Sequence, residues 1–263
     1  MSILLVEVVP EGILFGADRN VSWSTQQVQK GNLVINNLGH TQRPKVLRWP
    51  GQKALLGYVG AAQIGELPTD EWLFDFIGRH ITFNSFEGVA EELRKEIEAQ
   101  RKIDEANSDP VALIIHLGGF EMRDGVMSPV IWFIRNTYSL NSNGYADFRK
   151  EFQKSEEFWK YFKNFQPNNI RVRLKEIADD FNPFWFHQGF DLGTFNMIEG
   201  FLKFAFKSLC NSGKSHHLPS NLSDWANQVR MSILTYGAYF QAYMGPSEQF
   251  VGGGADVVSL LWP

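Results

Sequence analysis

The residues best suited to chemistry lie in the first quarter of the chain and begin at its second position. Ser2 follows Met1, and an initiator methionine is usually removed when a small residue comes next. Removal of Met1 would place a hydroxyl nucleophile and a free α-amine on one residue. Because an α-amine titrates at about 7.7 to 8.0, it can serve as the general base for that hydroxyl. We therefore expect Ser2 to act as an N-terminal nucleophile.

Three further residues supply the other groups that acyl transfer requires. Asp18 ends the second strand of a predicted hairpin, whose antiparallel pairing brings its carboxylate towards residue 3 or 4. Lys45 begins the next predicted hairpin and provides a cation. Gly60 ends that hairpin at a predicted strand-to-helix junction, where backbone N–H groups can bind an oxyanion. Together with Ser2, these residues predict a hydrolytic site.

Other motifs do not indicate a nucleotide or metal site. Gly213–Ser215 resembles the end of a phosphate-binding loop, but Ser208 stands where the leading glycine belongs. Gly252–Gly254 precedes a predicted strand, so it is expected to form a backbone kink and not to bind a pyrophosphate. We expect His216–His217 to lie in a solvated loop and His116 to be a hydrogen-bonded core residue. No cofactor and no metal are expected.

Composition narrows the class of protein. The 263 residues, 44% of them hydrophobic, suffice for one large domain or two small ones. A net charge of -4 provides no basic field, so neither a nucleic acid nor an anionic membrane is expected as a partner. The apolar N-terminal run is broken by Glu7 and Pro10, which argues against a membrane span or an export signal. With Cys210 as the single cysteine, the sequence predicts a cytoplasmic protein.

Two hairpins are predicted at the start of the chain. Residues 3–9 and 13–18 are short, apolar and rich in β-branched side chains, and a turn containing proline and glycine separates them. Residues 45–49 and 53–59 repeat this pattern around a second such turn. The intervening polar stretch, residues 22–44, is predicted to be a long loop or ribbon.

Helical periodicity follows, and the pattern then returns to strands. Apolar residues recur at helical spacing near Trp72–Ile77 and again from Phe86 to about Arg101. A third strand pair is predicted over residues 110–119 and 128–136. Later elements are an amphipathic helix over 145–164, helices near 194–209 and 221–240, and a last strand over 255–261. This order predicts an α+β domain in which helices cover two packed antiparallel sheets.

The segment SILLVEVVPEGILFGADRNVS resembles the start of a mature proteasome β-subunit or of a bacterial proteasome-like peptidase. The spacing from Ser2 to Asp18 equals the spacing from nucleophile to aspartate in that family. RPKVLRWPGQKALLGYVGAAQ resembles the lysine strand of the family and the glycine loop that follows it. VALIIHLGG with SPVIWFI resembles the third strand pair, and VGGGADVVSLL resembles the closing strand.

This resemblance implies the N-terminal-nucleophile (Ntn) hydrolase fold, a four-layer αββα sandwich. The chain would be a single domain over residues 1–263, with an enlarged helical insert at about 138–193. Ser2 would be the nucleophile, Asp18 and Lys45 would hold and tune it, and the Gly60 N–H would stabilise the oxyanion. The resemblance further implies that the backbones of Ser22 and Ala62 pair with an extended peptide and that Tyr58 forms a specificity-pocket wall favouring small side chains.

The function implied is that of a proteasome-like amidohydrolase, a peptidase that acts on peptide or protein substrates through Ser2. The alternative is a catalytically inactive proteasome-like subunit that serves as a ring wall, a gate or a partner-binding scaffold. The intact mass separates the two, because loss of Met1 creates the required amine. The resemblance also implies a homo-oligomeric ring, and it leaves the need for an ATPase partner open.

Overall fold

The computed structural model describes residues 2–29, 32–51, 54–104, 113–140, 146–156, 172–178, 190–243 and 252–263. Within these ranges the strands are β1 (Ser2–Val9), β2 (Gly12–Asp18), β3 (Asn20–Gln29), β4 (Asn32–Gln42), β5 (Val46–Trp49), β6 (Ala54–Gly60), β7 (Gln63–Ile64), β8 (Leu67–Pro68), β9 (Leu113–Arg123), β10 (Val126–Leu140), β11 (Ala146–Ser155), β12 (Val172–Ala178) and β13 (Ala255–Leu261). The helices are α1 (Thr69–Arg79), α2 (Phe86–Asp104), α3 (Phe190–Asn211) and α4 (Leu222–Tyr243).

Most of these strands form two antiparallel sheets. The first sheet has the order β12-β1-β2-β13, and the second has the order β11-β10-β9-β6-β5. The predicted ribbon exists as the pair β3–β4, and β7 pairs with β8. The fold is therefore mixed, with antiparallel sheets and four helices among the described residues.

Apolar side chains from the two sheets pack against each other. Leu4 and Phe15 of the first sheet lie in one cluster with Leu55 and Phe133 of the second. The approach is close, because a Cβ added at Gly57 would lie 2.7 Å from Leu4 Cδ1. Glycine at this position lets the backbone of β6 approach β1.

Helices cover the other faces of both sheets. Ile3 and Leu5 pack against Val229 and Ile233 of α4. Side chains of the second sheet pack against α1 and α2 in a separate cluster. Since both faces of β1 are covered, the strand forms a nearly continuous apolar run, as buried strands do.

The structure confirms most of the predicted elements. These are the hairpins at the start of the chain, the two helices after them, the strand pair β9–β10, the two late helices and the final strand. The glycine run at residues 252–254 has positive φ at all three positions and leads into β13, as expected of a kink. None of the helices in the described ranges has the length and apolarity needed to cross a bilayer.

The helix predicted over residues 145–164 is wrong in its described part, because residues 146–155 form strand β11. Phe148 and Phe152 are four residues apart, a spacing that places side chains on one face of a helix and also on one face of a strand. The segment forms a strand because it pairs with the open edge of β10. Glu98 of α2 further stabilises the strand, since its Oε2 accepts the Phe152 N–H at 2.9 Å.

Two related expectations also need correction. The described part of the insert at 138–193 consists mostly of strands, since β10 ends within it and β11 and β12 follow. Helix is found only in its last residues, where α3 begins. The other residues of the insert lie outside the described ranges. The strand that ends at Gly60 does not lead directly into a helix, because β7 and β8 intervene and α1 begins only at Thr69.

Candidate active site

Ser2, Asp18 and Lys45 come from three places in the chain and meet at one point. Ser2 begins β1, Asp18 ends β2, and Lys45 immediately precedes β5 of the other sheet. Lys45 Nζ lies 2.9 Å from Ser2 Oγ and 3.0 Å from Asp18 Oδ1. Met1 lies outside the described residues. The arrangement places a cation and a carboxylate beside a hydroxyl at the start of the first strand.

The hairpin register and a local turn hold the Asp18 carboxylate. Leu4 is paired with Ala17, which brings Asp18 opposite Ile3. Asp18 Oδ1 accepts the backbone N–H of Ile3 at 2.9 Å, and Oδ2 accepts that of Asn20 at 3.2 Å. The second bond reaches two residues along the chain, as Asp side chains do in Asx-turns. Asp18 is therefore fixed by backbone donors from both sides.

The Lys45 side chain is buried, with 2% of its surface exposed, and Asp18 is fully buried. Lys45 Nζ donates to Ser2 Oγ, to Asp18 Oδ1 and to the carbonyl of Asn20. Three acceptors suit the three N–H donors of a charged ammonium. Burying this charge is costly, and the adjacent carboxylate compensates for it. A fixed cation at this distance from Oγ stabilises negative charge that develops on the oxygen.

The Gly60 N–H is directed towards the same side of β6 as the site. The Tyr58 N–H donates to the Lys45 carbonyl at 2.9 Å, across the edge of β6 that faces β5. The pleat of a strand directs the N–H two residues later to the same edge. Because β5 begins at Val46, its backbone does not extend opposite Gly60. Gly60 also has a φ of +107°, a backbone conformation that favours glycine. Since glycine has no Cβ, no side chain of its own lies beside this N–H.

Tyr58 lies in the core between the second sheet and α1, with 2% of its surface exposed. Burial raises the pKa of its hydroxyl far above the usual range, and the negative charge of Asp70 raises that pKa further. The backbone N–H of Asp70 donates to the hydroxyl, and the positive charge of Arg43 acts in the opposite direction. Tyr58 is thus a buried side chain close to the first residues of α1, and its role as a pocket wall stays a prediction.

The two expected peptide-binding positions follow segments that contribute to the site. Ala62 follows β6, and its carbonyl accepts the Thr69 N–H at 3.0 Å. Ser22 lies on β3, where it is paired with His40 of β4. Both positions belong to segments that leave the site, and their pairing with a substrate stays a prediction.

Sequence reasoning missed two residues of this region. The Asn20 backbone accepts from Lys45 and donates to Asp18, and the Asp18-Arg19-Asn20 step could have indicated it as an Asx-turn. The Arg43 guanidinium binds Asp70 Oδ1 at 3.0 Å and Glu71 Oε1 at 2.8 Å, at the start of α1. No sequence pattern predicts that ion pair, because it joins segments 27 and 28 residues apart. Among the described residues, no group of three or more side chains could hold a metal ion.

No protein-family model and no curated protein matches the sequence. Among solved structures, Anbu (ancestral beta-subunit) from Yersinia bercovieri is similar to this chain, with 12% sequence identity and a TM-score of 0.44. The match covers 98% of this chain and 81% of that one. It is a distant structural similarity, and the chemistry of the site has to be judged from its own geometry.

Proposed function

We propose that the protein is a proteasome-like Ntn amidohydrolase, a peptidase that uses Ser2 as its nucleophile once Met1 has been removed. The observation that carries the proposal is the placement of Lys45 Nζ 2.9 Å from Ser2 Oγ, with Asp18 completing the buried cluster. Packing of helices on the outer faces of the two sheets supports the four-layer αββα arrangement of that class. The proposal treats residues 1–263 as one domain.

In the proposed reaction the free α-amine of Ser2 takes the proton from Oγ, and Oγ attacks the carbonyl carbon of a peptide bond. Lys45 stabilises the negative charge on Oγ, while the Gly60 N–H binds the oxyanion of the tetrahedral intermediate. The C–N bond then breaks, and the proton passes from the amine to the leaving nitrogen. Water, activated by the same amine, attacks the resulting ester and releases the acid, which regenerates Ser2.

Substitution of the nucleophile tests this reaction. Ser2→Ala should abolish hydrolysis of a fluorogenic peptide library and leave the protein folded, as checked by circular dichroism. Ser2→Thr is the matched control, because it keeps a hydroxyl and an α-amine on one residue, and it should retain activity. Hydrolysis by purified Ser2→Ala at the wild-type rate would exclude the proposal.

The amine can be tested independently of activity. Periodate cleaves a 2-amino alcohol, so it converts an N-terminal serine with a free amine into a glyoxylyl group and leaves a serine within the chain intact. Intact-mass spectrometry before and after periodate should therefore detect loss of Met1 and then cleavage at Ser2. A protein that keeps Met1, resists periodate and hydrolyses no peptide would instead be the inactive scaffold. The burial of Tyr58 favours that function, because a side chain that is 2% exposed offers almost no surface to a substrate.

We also propose that the protein assembles into a homo-oligomer. Met197, Phe201 and Phe204 of α3 are 67%, 69% and 69% exposed. Their spacing places them on one side of the helix, away from Phe206, which packs on Trp225 of α4. A second copy of the same stripe is a suitable partner for such a surface.

Light scattering at micromolar concentration tests the assembly. The wild type should exceed the monomer mass of 30.1 kDa. Phe201→Glu should lower that mass, whereas Lys203→Glu, an exposed control on the same helix, should not. A monomeric wild type would contradict the homo-oligomer without bearing on the reaction.

A further inference from the structure

The corner formed by Asp18, Arg19 and Asn20 is bound by the glycine run at the end of the chain. The Arg19 N–H donates to the carbonyls of Gly252 and Gly254, at 3.2 Å each. The Asn20 N–H donates to the Gly252 carbonyl at 3.1 Å. Two consecutive peptide groups of the corner are thus held by one short segment. The corner and the glycine run are far apart in sequence.

The backbone of the run requires glycine for this purpose. Gly252, Gly253 and Gly254 have φ values of 153°, 70° and 99°, which residues other than glycine rarely adopt. This conformation turns two carbonyls of three residues towards Arg19 and Asn20. A Cβ added at Gly253 would lie 3.2 Å from Gln42 Cγ, so the run is also packed against the end of β4.

A charge pair closes the same corner from the solvent side. Arg19 Nε lies 3.3 Å from Asp256 Oδ2, an ion pair without hydrogen-bond geometry between side chains that are 40% and 33% exposed. The Arg19 carbonyl in turn accepts the Arg43 N–H at 2.9 Å, two residues before Lys45. The corner therefore connects the end of the chain to the segment that carries the lysine.

We propose that the Gly252–Gly254 segment, closed by the Arg19–Asp256 pair, positions the Lys45 ammonium beside Ser2 Oγ. The segment fixes Asn20, and the Asn20 carbonyl is one of the acceptors that hold Lys45 Nζ. Arg19, Asp256 and the three glycines are positioning residues, since they act through Lys45 and touch no substrate. The catalytic consequence rests on the proposed function, but the positioning of Lys45 does not.

Two variants test the inference, each with a matched control. Gly253→Ala disturbs the run, and Gly213→Ala is its control because Gly213 has a φ of 67° and an added Cβ there would contact nothing within 4 Å. Asp256→Asn removes the ion pair without straining the backbone. Its control is Arg48→Gln, since Arg48 also reaches β13, where it binds the Ser259 carbonyl at 2.5 Å.

Peptide hydrolysis is the first readout. We expect Gly253→Ala to lower kcat about tenfold, which corresponds to losing one hydrogen bond to a charged group, with KM within twofold of wild type. Asp256→Asn should lower kcat about twofold to threefold, since a half-exposed pair is weaker. Both controls should keep the wild-type kcat. If Gly253→Ala does not fold, Asp256→Asn alone decides.

The second readout does not require activity. The 13Cε–1Hε NMR correlation of Lys45, assigned by its absence in Lys45→Met, should shift in Gly253→Ala and Asp256→Asn and stay in place in both controls. An unchanged Lys45 signal, or an equal shift in the controls, would overturn the positioning role. If the Lys45 signal shifts as expected while the wild type hydrolyses nothing, the positioning role stands and the proposed function fails.

Discussion

Replacing Lys45 by methionine is the sharpest perturbation of the buried cluster. The substitution keeps a side chain of similar length and removes the positive charge. It leaves the Asp18 carboxylate fully buried, with two backbone N–H donors and no cation. Breaking a buried ion pair in this way costs about 3–5 kcal/mol. We therefore expect the free energy of unfolding to fall by that amount.

The effect on the reaction can be estimated from the same geometry. A unit charge on Ser2 Oγ, 2.9 Å from Lys45 Nζ, is stabilised by about 6 kcal/mol at an effective dielectric constant of 20. Asp18, 3.0 Å from the same nitrogen, opposes part of this stabilisation. If half remains, about 3 kcal/mol is lost in Lys45→Met, and kcat falls by about a hundredfold.

Denaturant unfolding and peptide hydrolysis measure the two effects separately. Lys95→Met is the control, because Lys95 is half-exposed and pairs with Glu92 on the surface of α2, so its removal should cost under about 1 kcal/mol. The double variant Asp18→Asn/Lys45→Met removes both charges and should regain most of the lost stability, since no unpaired buried charge remains. Strictly additive losses in the double variant, or a Lys45→Met protein as stable as Lys95→Met, would refute this reasoning.

Three further predictions concern the surroundings of the site. Burial raises the pKa of the Tyr58 hydroxyl, so the unfolded chain loses the hydroxyl proton near pH 10 while the folded protein keeps it. The free energy of unfolding, measured in urea, should therefore fall as the pH rises above about 10. The fall should exceed that of Tyr58→Phe by about 1.4 kcal/mol per pH unit. Gly57→Ala should destabilise the fold by about 1–3 kcal/mol because its Cβ would meet Leu4, whereas Gly78→Ala, with open space in α1, should be neutral or slightly stabilising in thermal unfolding. Glu98→Ala should cost about 1–3 kcal/mol, and hydrogen exchange should find the Phe152 amide less protected, since it loses its acceptor.

The sequence was sufficient for the elements with strong local signals. Apolar runs separated by turns containing proline and glycine predicted β1–β2 and β5–β6, and helical periodicity predicted α1 and α2. The same hairpin logic predicted that Asp18 approaches residue 3, where it binds the Ile3 N–H. These features depend on neighbours in sequence, so a periodic pattern and a turn are enough to specify them.

Only the tertiary structure decided how these elements meet. The spacing of Phe148 and Phe152 fits a helix and a strand equally well, and the free edge of β10 selected the strand. Lys45 immediately precedes a strand of a different sheet from Ser2 and Asp18, and its distance to them depends on how closely the sheets pack around Leu4 and Gly57. The contacts of Arg19 with Gly252 and Gly254 likewise join distant parts of the chain. Local sequence does not encode such distances, because they result from the packing of side chains contributed by separate elements.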